Sequence, residues 1–190
     1  TAAMKYAGMP MGMWTLFHGS FERQLTEKFG LSAQEAKTVT AGAKPKYKEI
    51  IADLPEFEKE DRFRMNIVNC AMLGAYILNM PERPDVETLT AYYADAMMTP
   101  PMKWFCRKSG KKKFSESDID GMKKTAALRA ADRNEYSWNM DYLPYEDGSG
   151  YEARFYTCGI CTLMRKLGLY DLVPAMCRLD YTMTDAGGTA

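Results

Sequence analysis

Between Arg64 and Glu82 the chain carries no charged residue, and this stretch limits the possible folds more than any other. Phe63, Ile67, Cys70, Gly74 and Ile77 recur at helical spacing through EDRFRMNIVNCAMLGAYILNM, which predicts a helix buried on most of its sides. Its longest apolar run, Ala71 to Leu78, is far below the roughly 20 residues that span a bilayer, so it reads as the central helix of a globular core. Pro81 and Pro84 end it.

Amphipathic helices are expected on both sides of it. Trp14, Phe17, Phe21 and Leu25 share one face of a helix that Gly30 closes, and Ser32-Ala-Gln-Glu35 has the spacing of a capping box that opens the next. Gly42 and Pro45 should kink or restart that second helix before Tyr47. Asp85 can cap a helix carrying Val86, Leu89, Tyr93 and Met97, which Pro100-Pro101 should stop. After a basic SGKKKF loop, Ser115 to Asp118 opens another helix, giving four or five before residue 134.

The period then changes from helix to strand. Tyr136, Trp138, Met140 and Tyr142 alternate with Ser137, Asn139 and Asp141, EDGSG supplies turn residues, and Tyr151, Ala153 and Phe155 alternate again, predicting a hairpin. Beyond it lie a short helix closed by Gly168, a second with Pro174 near its middle or at a restart, and a possible third strand from Asp180 and Tyr181. The expected fold is α+β: one domain over residues 1–190, with a helical N-terminal two-thirds packed on a small antiparallel sheet.

Twenty-five basic and 25 acidic residues cancel, leaving no global field to attract nucleic acid or an anionic membrane. A small molecule or another protein is the expected partner. Rossmann and P-loop glycine patterns are missing from the sequence, and no cofactor is expected. The five cysteines are odd in number and irregularly spaced, which fits a reducing, cytoplasmic setting. The chain starts TAAMKY and stops at DAGGTA, as if trimmed at both ends.

Cys158, Cys161 and Cys177 crowd the C-terminal stretch, with Asp180 three residues after the last; Cys70 and Cys106 lie far from them in sequence. The spacing resembles a four-ligand zinc set ending in aspartate, but helices rather than ribbon strands separate its halves, so no bound metal is expected. Buried packing is the plain alternative, and a redox CxxC pair lacks a thioredoxin-like setting. The remaining reading is catalytic: a thiol at a helix N-terminus, Cys158 or Cys161, with Asp180 to orient or activate a water.

Two stretches together resemble the L-2-amino-thiazoline-4-carboxylic acid hydrolase family. They are KYKEIIADLPEFEKEDRFRMNIVNCAMLGAYIL and the series Cys158, Leu167-Gly168, Leu172, Pro174, Cys177 and Asp180. Family members usually continue with a strand, a Gly-Gly turn and a further cysteine, whereas this chain ends at Gly187-Gly188-Thr189-Ala190. The resemblance implies ring-opening hydrolysis of a cyclic amidine thioether to a carbamoyl-cysteine. Such chemistry needs a nucleophile at the ring carbon, a proton donor and a cation for the carboxylate. Cys177 as nucleophile or Asp180 as base meets the first need, with Cys158 beside them. Arg154 and Arg178 are the candidates for the carboxylate. His18, the only histidine, is a candidate proton donor at the substrate. The alternative is a non-catalytic small-molecule or metal-binding domain of the same fold.

Overall fold

Helix α3 (Arg64–Ile77) forms on the charge-free stretch, and ten of its 14 residues are buried, from Ile67 to Ile77. The computed structural model describes residues 5–59, 61–130 and 134–189, so the trimmed ends inferred at 1–4 and 190 lie outside the described residues. Helices α1 (Met9–Phe29) and α2 (Ala33–Asp53) pack on each other, and α2 also packs along α3. Gly30 closes α1 at φ 67°, and Ser32 and Glu35 make the expected reciprocal capping box. Trp14 stacks on Tyr47 of α2 and Tyr76 of α3, joining the three helices through one aromatic layer.

Helix α2 runs unbroken through Pro45, so the expected restart does not occur. Burial of Val39, Ala43, Tyr47, Ile50 and Ile51 along one stripe holds the helix together across the hydrogen bond that proline cannot donate. Asp85 caps α4 (Val86–Met97) by accepting from Thr88 N, and α4 packs on α1. The Pro100-Pro101 pair ends α4 but also starts α5 (Pro100–Gly110), a helix the sequence reading left out. Proline is tolerated in the first helical turn, whose N–H groups have no intrahelical partner. Helix α6 (Glu116–Ala130) follows the basic loop.

The hairpin is shorter than the alternation suggested. Strand β1 (Met140–Pro144) pairs antiparallel with β2 (Tyr151–Phe155), with Met140 opposite Phe155 and Tyr142 opposite Ala153. Tyr136, Ser137 and Trp138 are all buried, because this extended segment runs beneath other elements instead of along a solvent-facing strand. Trp138 stacks on Phe63 at 5.2 Å and meets Phe57 edge-on.

The C-terminal part is helical. After α7 (Gly159–Lys166) and a 3-10 turn at Tyr170–Leu172, α8 runs from Val173 to Gly187. Pro174 lies in its first turn, and Asp180 and Tyr181 sit mid-helix, so the third strand is replaced by helix. Ala175, Met176 and Leu179 are buried, and Met183 and Ala186 extend the same stripe onto the core. That stripe outweighs the strand preference of Tyr181, Thr182 and Thr184. Helix α8 packs on α4 and α5, and α7 packs on α3. Where α5 and α8 cross, a Cβ on Gly110 would lie 2.4 Å from Gly187 O, so the two backbones touch. Among the described residues no helix is long and apolar enough to cross a membrane.

Arg129 of α6, 1% exposed, ties the halves of the chain together. Its guanidinium is 2.9 Å from the buried carboxylate of Asp61, also reaches Glu58, and lies 3.4 Å from Ser137 Oγ. Arg129→Ala should therefore cost about 3–5 kcal/mol in urea denaturation, because it removes a buried cation from beside the buried Asp61 carboxylate. Arg129→Lys should recover part of the loss; equal stability of Arg129→Ala and the parent would contradict this account.

Candidate active site

The thiol site is assembled from four helices. Cys70 comes from α3, Cys158 and Cys161 from the start of α7, Cys177 and Asp180 from α8, and Tyr93 from α4. Cys158 occupies the position before the first turn of α7, at the helix's positive end. Gly159 follows it for a steric reason: a Cβ there would lie 2.1 Å from Tyr136 O and 2.7 Å from the Trp138 ring. The buried 136–138 segment thus sets where α7 begins. On the other side, Leu167 and Met164 of α7 fill the space above Gly74 of α3. On α8, Cys177 and Asp180 are three residues apart and share a face.

Depth separates the groups. Cys70 is 3% exposed, Cys158 and Cys161 are half-buried, and Cys177 and Asp180 keep solvent access. The charges of these groups interact. Burial drives the Cys70 thiol far up; the Tyr93 hydroxyl, hydrogen-bonded to its sulfur, opposes the rise, while Cys158, Asp180 and Cys177 add to it. Burial pushes Cys161 up to about 11, helped by Cys158 and Cys177 and opposed by the guanidinium of Arg165. Cys177 is raised by burial first, then by Cys158 and Asp180. Asp180 is raised by desolvation alone. Although Asp180 is surrounded by protein, its side chain stays open to water, and that access decides what it can react with.

At neutral pH, then, Cys161 and Cys177 are thiols rather than thiolates, and Cys177 stands beside a carboxylate more basic than a free aspartate. The arrangement suits proton transfer to and from a water better than attack by sulfur. Among the described residues no group of three or more His, Cys, Asp or Glu side chains is arranged to hold a metal ion.

The other residues singled out from the sequence lie elsewhere. The His18 ring stacks on Trp14, and its Nδ1–H donates to Trp14 O at 2.9 Å within α1. Arg154 lies on β2, 3.2 Å from Glu152 and near Asp141 and Tyr156. Arg178 is exposed on α8 and, as the next residue after Cys177, points about 100° away from it around the helix. Three participants escaped the sequence reading: Cys70, Tyr93 and Arg165. Cys70 and Tyr93 look like ordinary core positions of amphipathic helices; only the tertiary packing of α3 and α4 against α8 and α7 brings them here.

A separate cleft of about 260 Å³ opens where α5, β2 and the end of α8 meet, lined among others by Arg62, Phe105, Cys106, Tyr151, Met183 and Thr184. Arg62 is held by Asp118 at 2.7 Å in its wall. The cleft adjoins the thiol site along α8, Met183 and Thr184 lying one helical turn beyond Asp180, but the perturbed thiol and carboxylate of Cys177 and Asp180 are not in its lining.

The family model described as L-2-amino-thiazoline-4-carboxylic acid hydrolase matches residues 65–190, which takes in α3, the hairpin and both cysteine-bearing C-terminal helices. No curated protein and no solved structure gives a match to the chain.

The layering predicts the order of thiol modification. With iodoacetamide at pH 8, Cys177 should be alkylated first, and more slowly than a free cysteine peptide because its thiol is raised. Cys70 and Cys106 should react only on unfolding, and peptide mass spectrometry reads the order. Labelling of Cys70 ahead of Cys177 in the folded protein would contradict the arrangement.

Proposed function

Because the chain belongs to the L-2-amino-thiazoline-4-carboxylic acid hydrolase family, we propose that it opens a small cyclic amidine such as L-2-amino-thiazoline-4-carboxylate to a carbamoyl-cysteine. The supporting observation is the position of Asp180, a desolvated yet water-accessible carboxylate among protonated thiols. Asp180 takes a proton from a water whose oxygen bonds to the ring carbon between sulfur and nitrogen. Addition moves the carbon–nitrogen double-bond electrons onto the ring nitrogen, and the adduct collapses as the carbon–oxygen double bond forms, the hydroxyl proton passes to that nitrogen and the carbon–sulfur bond breaks. The departing sulfur then receives the proton held on Asp180, so one water is consumed and N-carbamoylcysteine is released. Cys177 serves as a neutral donor beside the base, and Cys158 sits where the positive end of α7 favours negative charge developing on the adduct.

The second reading, a non-catalytic small-molecule binding domain, draws on the 260 Å³ cleft, which is lined by Cys106 but by none of the other four cysteines. Turnover separates the two, since a binding domain leaves the ring intact.

Asp180→Asn should lower kcat by about 10²–10⁴-fold, the usual contribution of a positioned general base. Cys177→Ala should stay within about tenfold of the parent, as expected of a group that assists without bonding to substrate. A base works only when deprotonated, so the rate falls as pH drops through its pKa. Because Asp180 is raised, that fall should occur at higher pH than for an ordinary aspartate, and it should vanish in Asp180→Asn. If Cys177→Ala is as inactive as Asp180→Asn and the double variant is no worse, Cys177 is the nucleophile and the assignment fails.

A further inference from the structure

The site draws a cation from one helix, α7, and a carboxylate from another, α8. Arg165 is one helical turn beyond Cys161 on α7, so the two share a face. Its guanidinium lies 4.2 Å from the centre of the Tyr170 ring, in the turn that leads into α8. A guanidinium stacked on an aromatic face is held in orientation while its in-plane N–H edges stay available to a planar anion. Among the described residues no carboxylate forms an ion pair with Arg165 or with Arg178, whereas Arg154, Arg62, Arg83 and Arg129 each have one; of the two, Arg165 is the one that shares a helix face with a site thiol, Cys161. Helices α7 and α8 pack together, with Cys161 and Arg165 one turn apart on the first and Cys177 and Asp180 three residues apart on the second. The influence of Arg165 on Cys161, and of Asp180 on Cys177, agrees with that placement.

We infer that Arg165 binds the carboxylate of an amino-acid-derived cyclic amidine, with the ring lying over the thiols and its amidine carbon toward Asp180. This rests on the hydrolase reading for the reacting end only. The dipolar layout selects a zwitterion-like ligand, a carboxylate joined through a small ring to a cationic amidine, and orients it one way. A ligand lacking the carboxylate keeps the Asp180 contact but loses its anchor.

Two measurements test the assignment separately from the chemistry. L-thiazolidine-4-carboxylate, which has no amidine carbon for water to open, is titrated calorimetrically into the parent and into Arg165→Ala, Arg165→Lys and Arg178→Ala. The expected result is binding by the parent, at least tenfold weaker binding by Arg165→Ala, partial recovery in Arg165→Lys and parental affinity in Arg178→Ala. With L-2-amino-thiazoline-4-carboxylate as substrate, Arg165→Ala should raise KM more than it lowers kcat, while 2-amino-thiazoline, which lacks the carboxylate, should be processed equally by both proteins. Parental affinity in Arg165→Ala, or no binding by the parent at millimolar ligand, overturns the assignment. Binding that depends on Arg165 without any ring opening instead upholds Arg165 and rejects the hydrolase reading.

Discussion

The guanidinium of Arg129, enclosed between Asp61, Glu58 and Ser137, is the buried charge contact that links α6 to the loop before α3 and to the segment before the hairpin. Asp61 belongs to the loop before α3, Arg129 to α6, and Ser137 to the segment that carries Trp138. A buried charge is tolerated only with partners of opposite sign, so pairing Arg129 with Asp61 favours the arrangement that brings the three pieces together. Trp138 is thereby pressed against Phe63 and Phe57, and the 136–138 backbone is brought close enough to Gly159 to exclude any side chain. An ion pair formed far from the thiols thus helps decide where α7 starts and where Cys158 stands.

Desolvation then sets the chemistry of the site. Four cysteines gather around one aspartate; burial raises Cys70, Cys161 and Cys177, and their mutual repulsion as anions reinforces it. A thiolate mechanism would need a strong local cation to reverse these effects. The guanidinium that opposes the rise of Cys161 is Arg165, and it leaves that thiol at about 11. The same desolvation that keeps the thiols protonated makes Asp180 more basic, and in the proposed reaction this one cause favours water over sulfur as the attacking group.

Local signals in the sequence carried much of this. The Ser32–Glu35 box, the Asp85 cap, the Gly30 stop and the apolar stripe of α3 each depend on neighbours within a turn or two, and each forms where the residues predict. Elements whose outcome depends on tertiary burial were harder to read. Pro45 looks like a break until the stripe around it is seen to be buried, and Tyr181 looks like strand until Met183 and Ala186 are seen to continue a helical face. The Pro100-Pro101 pair punctuates equally well as a stop and as a start. At the site, Cys177 and Asp180 were legible because they are close in sequence and fit a family series. Cys70 is more than 85 residues from Cys158 and reaches it only through packing, and Arg165 reads as an ordinary surface residue until Tyr170 is placed under it.

The contact of Gly110 with Gly187 leaves the cleft beside it with one wall that divergence cannot adjust gradually. Elsewhere on its lining a larger or smaller side chain trims the space by an atom or two, as at Phe105, Met183 or Thr184. Where two main chains touch there is no side chain to trim, and the first carbon added to Gly110 already collides with a carbonyl oxygen. Relatives of this chain that differ in the size of that cleft should therefore differ on its side-chain walls, with the glycine corner either kept whole or abandoned together with the crossing of α5 and α8.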